Sequence, residues 1–154
     1  LRWVNAQHLK AMPDEALALA VTPFLVQQGF TPDERLVPIC ALFKDRCDTL
    51  VVLANWAAAF YGDVQASAEE LAQHVTPAVK PALVLLTERL QSAAWDKASI
   101  AAVIKEVLAA TGLKMPQLAM PVRVLVMGTA QTPSLDAVLA LSHREMVLSR
   151  LAKA

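Results

Sequence analysis

The 154-residue sequence has four glycines, one tyrosine and two cysteines, and no excess of either charge: 14 Lys plus Arg stand against 14 Asp plus Glu. Scarce glycine beside 28 Ala and 23 Leu disfavours sheet-and-turn architectures and favours helix. Cys40 and Cys47 have six residues between them, no partner pair and no nearby histidine, so they read as structural thiols of a reducing compartment rather than a disulfide or metal pair. His8, His74 and His143 stand far apart, none in an H-x-x-x-H pair, and read as surface or packing residues rather than metal ligands. There is no G-x-S-x-G, no P-loop and no G-x-G-x-x-G, so no catalytic site is expected in this stretch. Balanced charge argues against a binder that works by neutralising phosphates.

Long apolar runs are also lacking. Mean hydropathy is +0.43, yet the longest charge-free stretch, between Glu15 and Asp33, is interrupted by Pro23, Gln27, Gln28 and Gly29. It falls short of the roughly 20 apolar residues that a membrane span needs. The chain begins with Leu1, and Leu1 to Lys10 has neither the basic start nor the cleavage site of a signal peptide. It reads as a segment of a longer soluble protein.

What is present is helix punctuation. Pro13-Asp14-Glu15, Thr31-Pro32-Asp33-Glu34, Ser67-Ala68-Glu69-Glu70 and Thr132-Pro133-Ser134-Leu135-Asp136 each put a capping hydroxyl or a proline beside acidic groups, as the unpaired N–H donors of a first turn require. The same logic explains these carboxylate pairs better than acid–base chemistry does. Helices are expected at 2–11, 14–28, 33–46, 49–61, 67–75, 77–93, 97–111, 116–127, 133–141 and 143–152. Leu83, Leu86 and Leu90, and Ile100, Val103, Ile104, Val107 and Leu108, mark core faces by their helical spacing. Pro23, Pro38 and Pro81 predict kinks or breaks. Val122 to Met127 has strand-like β-branched alternation, but no second strand exists to pair with it, so a buried helix is expected. The fold class is therefore all-α, a compound helical bundle or cage of about ten short helices. A boundary is expected near Tyr61-Gly62-Asp63, giving subdomains 1–63 and 64–154. Positive charge gathers at the C-terminal end, with five basic and two acidic residues from Lys114 to Ala154.

Three stretches together resemble the C-terminal, anticodon-binding region of bacterial-type glutamyl-tRNA synthetases. Leu1-Arg2-Trp3-Val4-Asn5 is similar to the family's K-L-x-W-x-N, and Lys44-Asp45-Arg46-Cys47-Asp48-Thr49-Leu50 to its basic R-x-x-T-L-like element. Met120-Pro121-Val122-Arg123-Val124-Leu125-Val126-Met127-Gly128 resembles P-L-R-x-A-L-T-G; Thr132-Pro133-Ser134-Leu135, Arg144-Glu145 and Arg150-Leu151 follow in the family's order. Two departures stand out: Met127-Gly128 replaces Thr-Gly, and Ser142-His143 replaces Gly-Lys, which removes a cation before the last helix.

The resemblance implies a tRNA-binding module that recognises the anticodon of glutamate tRNA. It implies a catalytic domain elsewhere in a monomeric, cytoplasmic parent enzyme that uses ATP and Mg, with no cofactor in this stretch and no membrane partner. By the same resemblance Arg46 faces the third anticodon base and Arg123 reaches the first, while Thr132, Pro133 and Leu135 pack and hydrogen-bond, partly through backbone groups, against the first two. The chemistry suits unstacked bases. A guanidinium is a rigid fork of donors. It matches the O2 and N3 acceptors of cytosine, where guanine presents its N1–H and N2–H donors. Glutamate anticodons end in C and glutamine anticodons in G, so one placed arginine separates them.

Plainer readings stand beside these. Arg46 suits a solvated helix end, Arg123 a core-flanking partner of Asp136 or Glu145, and Thr132-Pro133 an ordinary helix start. Trp3, Trp56, Trp95, Phe60 and Tyr61 read as core rather than stacking platforms. A helical adaptor that binds a partner protein is the alternative function, and a class I lysyl synthetase region a third.

Overall fold

The structure, a computed structural model, describes residues 2–62, 64–130 and 132–153, and side chains from residue 7 onward. The Leu1 to Asn5 motif and the Trp3 ring therefore lie outside the described side chains. Among the described residues there are ten α-helices and no strand. The chain divides into two units, Leu1–Asp63 and Val64–Ala154.

The first unit contains α1 (Arg2–Ala11), α2 (Asp14–Gln27), α3 (Leu36–Phe43), a 3-10 turn (Lys44–Arg46) and α4 (Leu50–Ala58). Helices α2, α3 and α4 pack pairwise on one another, and the 3-10 turn packs on α1 and α3. Leu17, Val21 and Leu25 of α2 meet Leu36, Ile39, Cys40 and Phe43 of α3 and Leu53 of α4 in a core closed to water. Its aromatic centre is Phe43, stacked on Trp56 with centroids 5.1 Å apart and edge-on to Phe60 at 5.8 Å. Both thiols are buried and free. Burial pushes Cys40 up to about 12 and Cys47 up to about 11, so neither is a ready nucleophile.

Four boundaries lie three residues from the sequence expectation: both ends of the 33–46 helix, the end of the 49–61 helix at Ala58 and the start of the 77–93 helix at Lys80. The 33–46 helix begins only at Leu36, because Asp33 is engaged elsewhere: its carboxylate accepts from the Tyr61 hydroxyl at 2.8 Å and from Arg35 Nε at 2.9 Å. At the other end the α-helix stops at Phe43 and tightens into the 3-10 turn, after which Cys47 is extended and buried. The prolines break nothing. Pro38 and Pro81 sit in first turns, where the missing N–H is not needed. Pro23 lies inside α2, and the carbonyl it would have bonded belongs to Leu19, which faces solvent.

The Asp33 cluster yields a pH prediction. Burial pulls the Asp33 carboxyl upward, but the hydrogen bonds from Tyr61 and Arg35 prevail and hold it below its ordinary value. A carboxyl lowered in the folded state adds stability above its unfolded pKa of about 3.9, and that stability is lost as pH falls through the folded value. Tyr61→Phe is expected to cost about 0.5–1.5 kcal/mol at pH 7 and less at pH 3, read from urea midpoints. An equal cost at both pH values would contradict this account.

The second unit contains α5 (Ala68–His74), α6 (Lys80–Ser92), α7 (Lys97–Thr111), α8 (Met115–Met127), α9 (Leu135–Leu141) and α10 (Arg144–Leu151). Ser67 caps α5 by accepting from Glu70 N at 3.1 Å, and Asp96 caps α7 by accepting from Ser99 N at 2.8 Å. The expected faces of α6 and α7 are buried, except that Leu108 remains partly exposed. The ambiguous Val122 to Met127 segment is helical and forms the last turns of α8. Helix α8 packs against α5, α6 and α10, and Leu118, Ala119, Val122, Val124, Leu125 and Val126 are all buried. Burial on several sides explains why the segment is apolar without helical alternation. Gly128 ends α8 in the left-handed region, φ +78°, and a Cβ there would come within 3.4 Å of the Gln65 carbonyl oxygen. Both the conformation and the close crossing favour glycine.

Arg150 on α10 is 5% exposed, and its Nη1 donates to the Val126 carbonyl at 2.7 Å. That carbonyl belongs to the last turn of α8, which has no helical N–H left to meet it. Trp95 and Arg144 join two further loops. Trp95 Nε1 donates to the Ser142 carbonyl at 2.7 Å, while the Arg144 guanidinium lies over the Trp95 ring, 5.2 Å from its centroid, and donates to the Ala93 carbonyl.

Candidate nucleic-acid interface

Arg46 occupies the last position of the 3-10 turn and is exposed. Among the described residues no hydrogen bond or ion pair engages its guanidinium. Its backbone is fixed on both sides. Lys44 Nζ donates to Asp14 Oδ1 at 3.0 Å and to the Met12 carbonyl at 3.3 Å, and Cys47 is 3% exposed. Downstream, Thr49 caps α4 by accepting from Val52 N at 3.2 Å. Thr49 also lines a shallow groove of about 250 Å³ with His8, Leu9, Asp48, Leu50 and Val51. The geometry is that of an exposed donor fork on a held stem, and the residues that follow it in the chain, Asp48 to Val51, line the groove.

The other four expected site residues share the second unit. Arg123 is half-buried on α8, with its Nε shielded from water. Thr132 and Pro133 lie in the connection from α8 to α9, and Leu135 opens α9. These three are buried, Thr132 at 6% and Leu135 at 1% exposure, and the Thr132 hydroxyl donates to the Pro133 carbonyl at 3.0 Å. Their side chains shape the loop, so a base meeting this edge would meet mainly its backbone. The loop is tied from α5 as well, because Glu70 Oε2 accepts from Ala130 N at 3.3 Å. The sequence marks Glu70 only as a helix-start acid, and its partner lies 60 positions further along the chain, beyond the reach of any local signal. Lys44 was visible within the basic motif, but nothing in the sequence pointed to its partner Asp14.

Little of the C-terminal charge excess reaches the surface. Arg150 is buried against Val126, Arg144 is engaged with Ala93 and Trp95, and Arg123 is half-buried, which leaves Lys114 and Lys153 as the exposed cations of that segment. Of the aromatic rings, Phe60 is core, whereas Trp56, Tyr61 and Trp95 are partly exposed but already occupied by ring, hydroxyl or indole contacts. The second unit also carries a groove of about 350 Å³ lined by Gln65, Leu71, Val124, Leu125 and Lys153, among others.

Comparison with known proteins identifies the family. A family model described as an anticodon binding domain matches residues 16–154. Curated relatives include the glutamate–tRNA ligase of Albidiferax ferrireducens, 68% identical over 98% of this chain and 33% of that protein. Another is the glutamate–tRNA ligase of Paracidovorax citrulli, 64% identical over 98% of this chain and 32% of that protein. Among solved structures, a glutamate tRNA ligase from Elizabethkingia meningosepticum, in complex with its amino acid, superposes with a TM-score of 0.90 at 23% identity, covering 99% of this chain and 31% of that one. That likeness bears on the fold. The chain spans about a third of the length of the curated relatives it matches. The all-α architecture and the family model agree with the resemblance read from the sequence, and the chain belongs to the anticodon-binding domain family found in glutamate–tRNA ligases.

Proposed function

We propose that this chain binds the anticodon loop of glutamate tRNA on behalf of a catalytic domain carried elsewhere in a longer, monomeric, cytoplasmic enzyme. Both units serve as anticodon-binding subdomains. Arg46 reads the third base by donating to the O2 and N3 of cytosine, Arg123 approaches the first base, and the Thr132, Pro133 and Leu135 edge frames the first two. The observation that carries this reading is the exposed, unengaged Arg46 fork on a turn anchored at both ends. Guanine in place of cytosine would leave donors facing donors, a mismatch that costs most where water is excluded. With few exposed cations in the C-terminal segment, binding to the isolated chain should be weak, since phosphate neutralisation supplies most affinity.

ATP and Mg would act in the catalytic domain. Among the described residues no three His, Cys, Asp or Glu side chains gather into a group that could hold a metal ion. No helix among the described residues is long and apolar enough to cross a membrane. The adaptor reading is not favoured, because the family match covers both units.

The test is a titration of the chain with the anticodon stem-loop of glutamate tRNA carrying C, then G, at the third anticodon position. Arg46→Gln is expected to lower the C-over-G preference roughly tenfold, the equivalent of one well-placed charged hydrogen bond. A ratio left unchanged would remove Arg46 from the site, and equal binding of both RNAs by the unaltered chain would remove the specificity claim itself.

A further inference from the structure

We propose that Lys44, through its ion pair with Asp14, is a positioning residue that aims Arg46. This rests on the reading of Arg46 given above. A 3-10 turn of three residues has almost no hydrogen-bond ladder of its own, so its orientation must come from outside. Here Cys47 N donates to the Lys44 carbonyl at 3.3 Å, which closes the turn but does not orient it. Orientation comes from the Lys44 ammonium, which reaches across to the start of α2 and divides its protons between Asp14 Oδ1 at 3.0 Å and the Met12 carbonyl at 3.3 Å. The Lys44 side chain is 21% exposed and that of Asp14 37%, so the link is partly sheltered from competing water. The buried Cys47 holds the other side of the turn. Arg46 stands between these two anchors, and its long side chain starts from a fixed Cα. A base reader held this way loses less freedom on binding, and a shift of its stem misplaces the whole fork.

Lys44 spends its charge on Asp14 instead of offering it to a phosphate, and the two roles separate experimentally. The probes are the same two stem-loops with C or G at the third anticodon position, titrated against the 154-residue chain over a range of salt. Lys44→Met and Asp14→Asn are each expected to lower the C-over-G ratio roughly three- to tenfold, with the double variant no worse than either single one, as for two members of one interaction. Lys44→Arg, which still reaches Asp14, should restore most of the ratio. Salt dependence should stay as in the unaltered chain. If Lys44→Met weakens both RNAs equally and flattens the salt slope while Asp14→Asn does nothing, Lys44 is a phosphate contact and the proposal is overturned. Should either single variant leave the ratio intact, it is overturned too. Arg46→Gln in the same series tells the two ideas apart: a ratio that responds to Arg46 but not to Lys44 or Asp14 refutes only the positioning role. Circular dichroism checks the fold, and Asp14→Asn keeps the test alive if Lys44→Met unfolds.

Discussion

Truncating Phe43 to Ala is expected to destabilise the first unit by about 3–5 kcal/mol, the range for removing a buried aromatic ring without refilling its space. Phe43 is fully buried at the end of α3, stacked on Trp56 from α4 and edge-on to Phe60 just beyond it. The substitution removes apolar contact area and two oriented ring pairs worth about 0.5–1.5 kcal/mol each beyond their area. Domains of this size are commonly stable by only about 5–15 kcal/mol, so the loss would leave the unit near its unfolding point. Urea unfolding followed by circular dichroism should show an early transition in the variant. A midpoint within error of the unaltered chain would mean that the ring site collapses around the gap, and the proposed aromatic centre would not be the keystone of that core. The turn bearing Arg46 begins at the very next residue, so partial loosening of this core should also blunt base discrimination.

The second large effect is expected at Arg150. Its guanidinium is sealed in the second unit and donates at 2.7 Å to the Val126 carbonyl at the C-terminal end of α8. Arg150→Met keeps much of the apolar stem but leaves that carbonyl without its cationic donor, and the expected cost is about 1.5–3 kcal/mol, the usual worth of a hydrogen bond to a charged group. Calorimetry of the chain should show a lowered transition. A change below about 0.5 kcal/mol, the scale of an ordinary surface substitution, would show that the helix end finds another partner.

Much of the helical frame was readable because its signals are local. Ser67 and Asp96 cap the helices they precede, Gly112 and Gly128 end theirs with positive φ, and the i, i+3, i+4 spacing of Leu83, Leu86, Leu90 and Ile100, Val103, Ile104 matched buried faces. The start of α3 was misplaced because Thr31-Pro32-Asp33-Glu34 has the composition of a helix start, while Asp33 is claimed by Tyr61, 28 residues away. No local rule sees such a partner. The candidate site divides in the same way. Arg46, Arg123, Thr132, Pro133 and Leu135 were named through resemblance to a family, since an isolated arginine in a balanced composition carries no signal of its own. The charge excess after Lys114 pointed to a cationic surface, but Arg144 and Arg150 turned inward to meet backbone carbonyls, a destination that net-charge arithmetic does not register.

The loop contact built on Trp95 gives the molecule a built-in optical label. Residues 64–154 contain no other indole, and this one has its N–H bound to the Ser142 carbonyl and a face covered by the Arg144 guanidinium. In a chain with Trp3 and Trp56 replaced by Phe, indole fluorescence would arise from Trp95 alone. Its emission maximum would follow whether the connection between α9 and α10 stays closed over it, without any attached dye and without interference from the first unit.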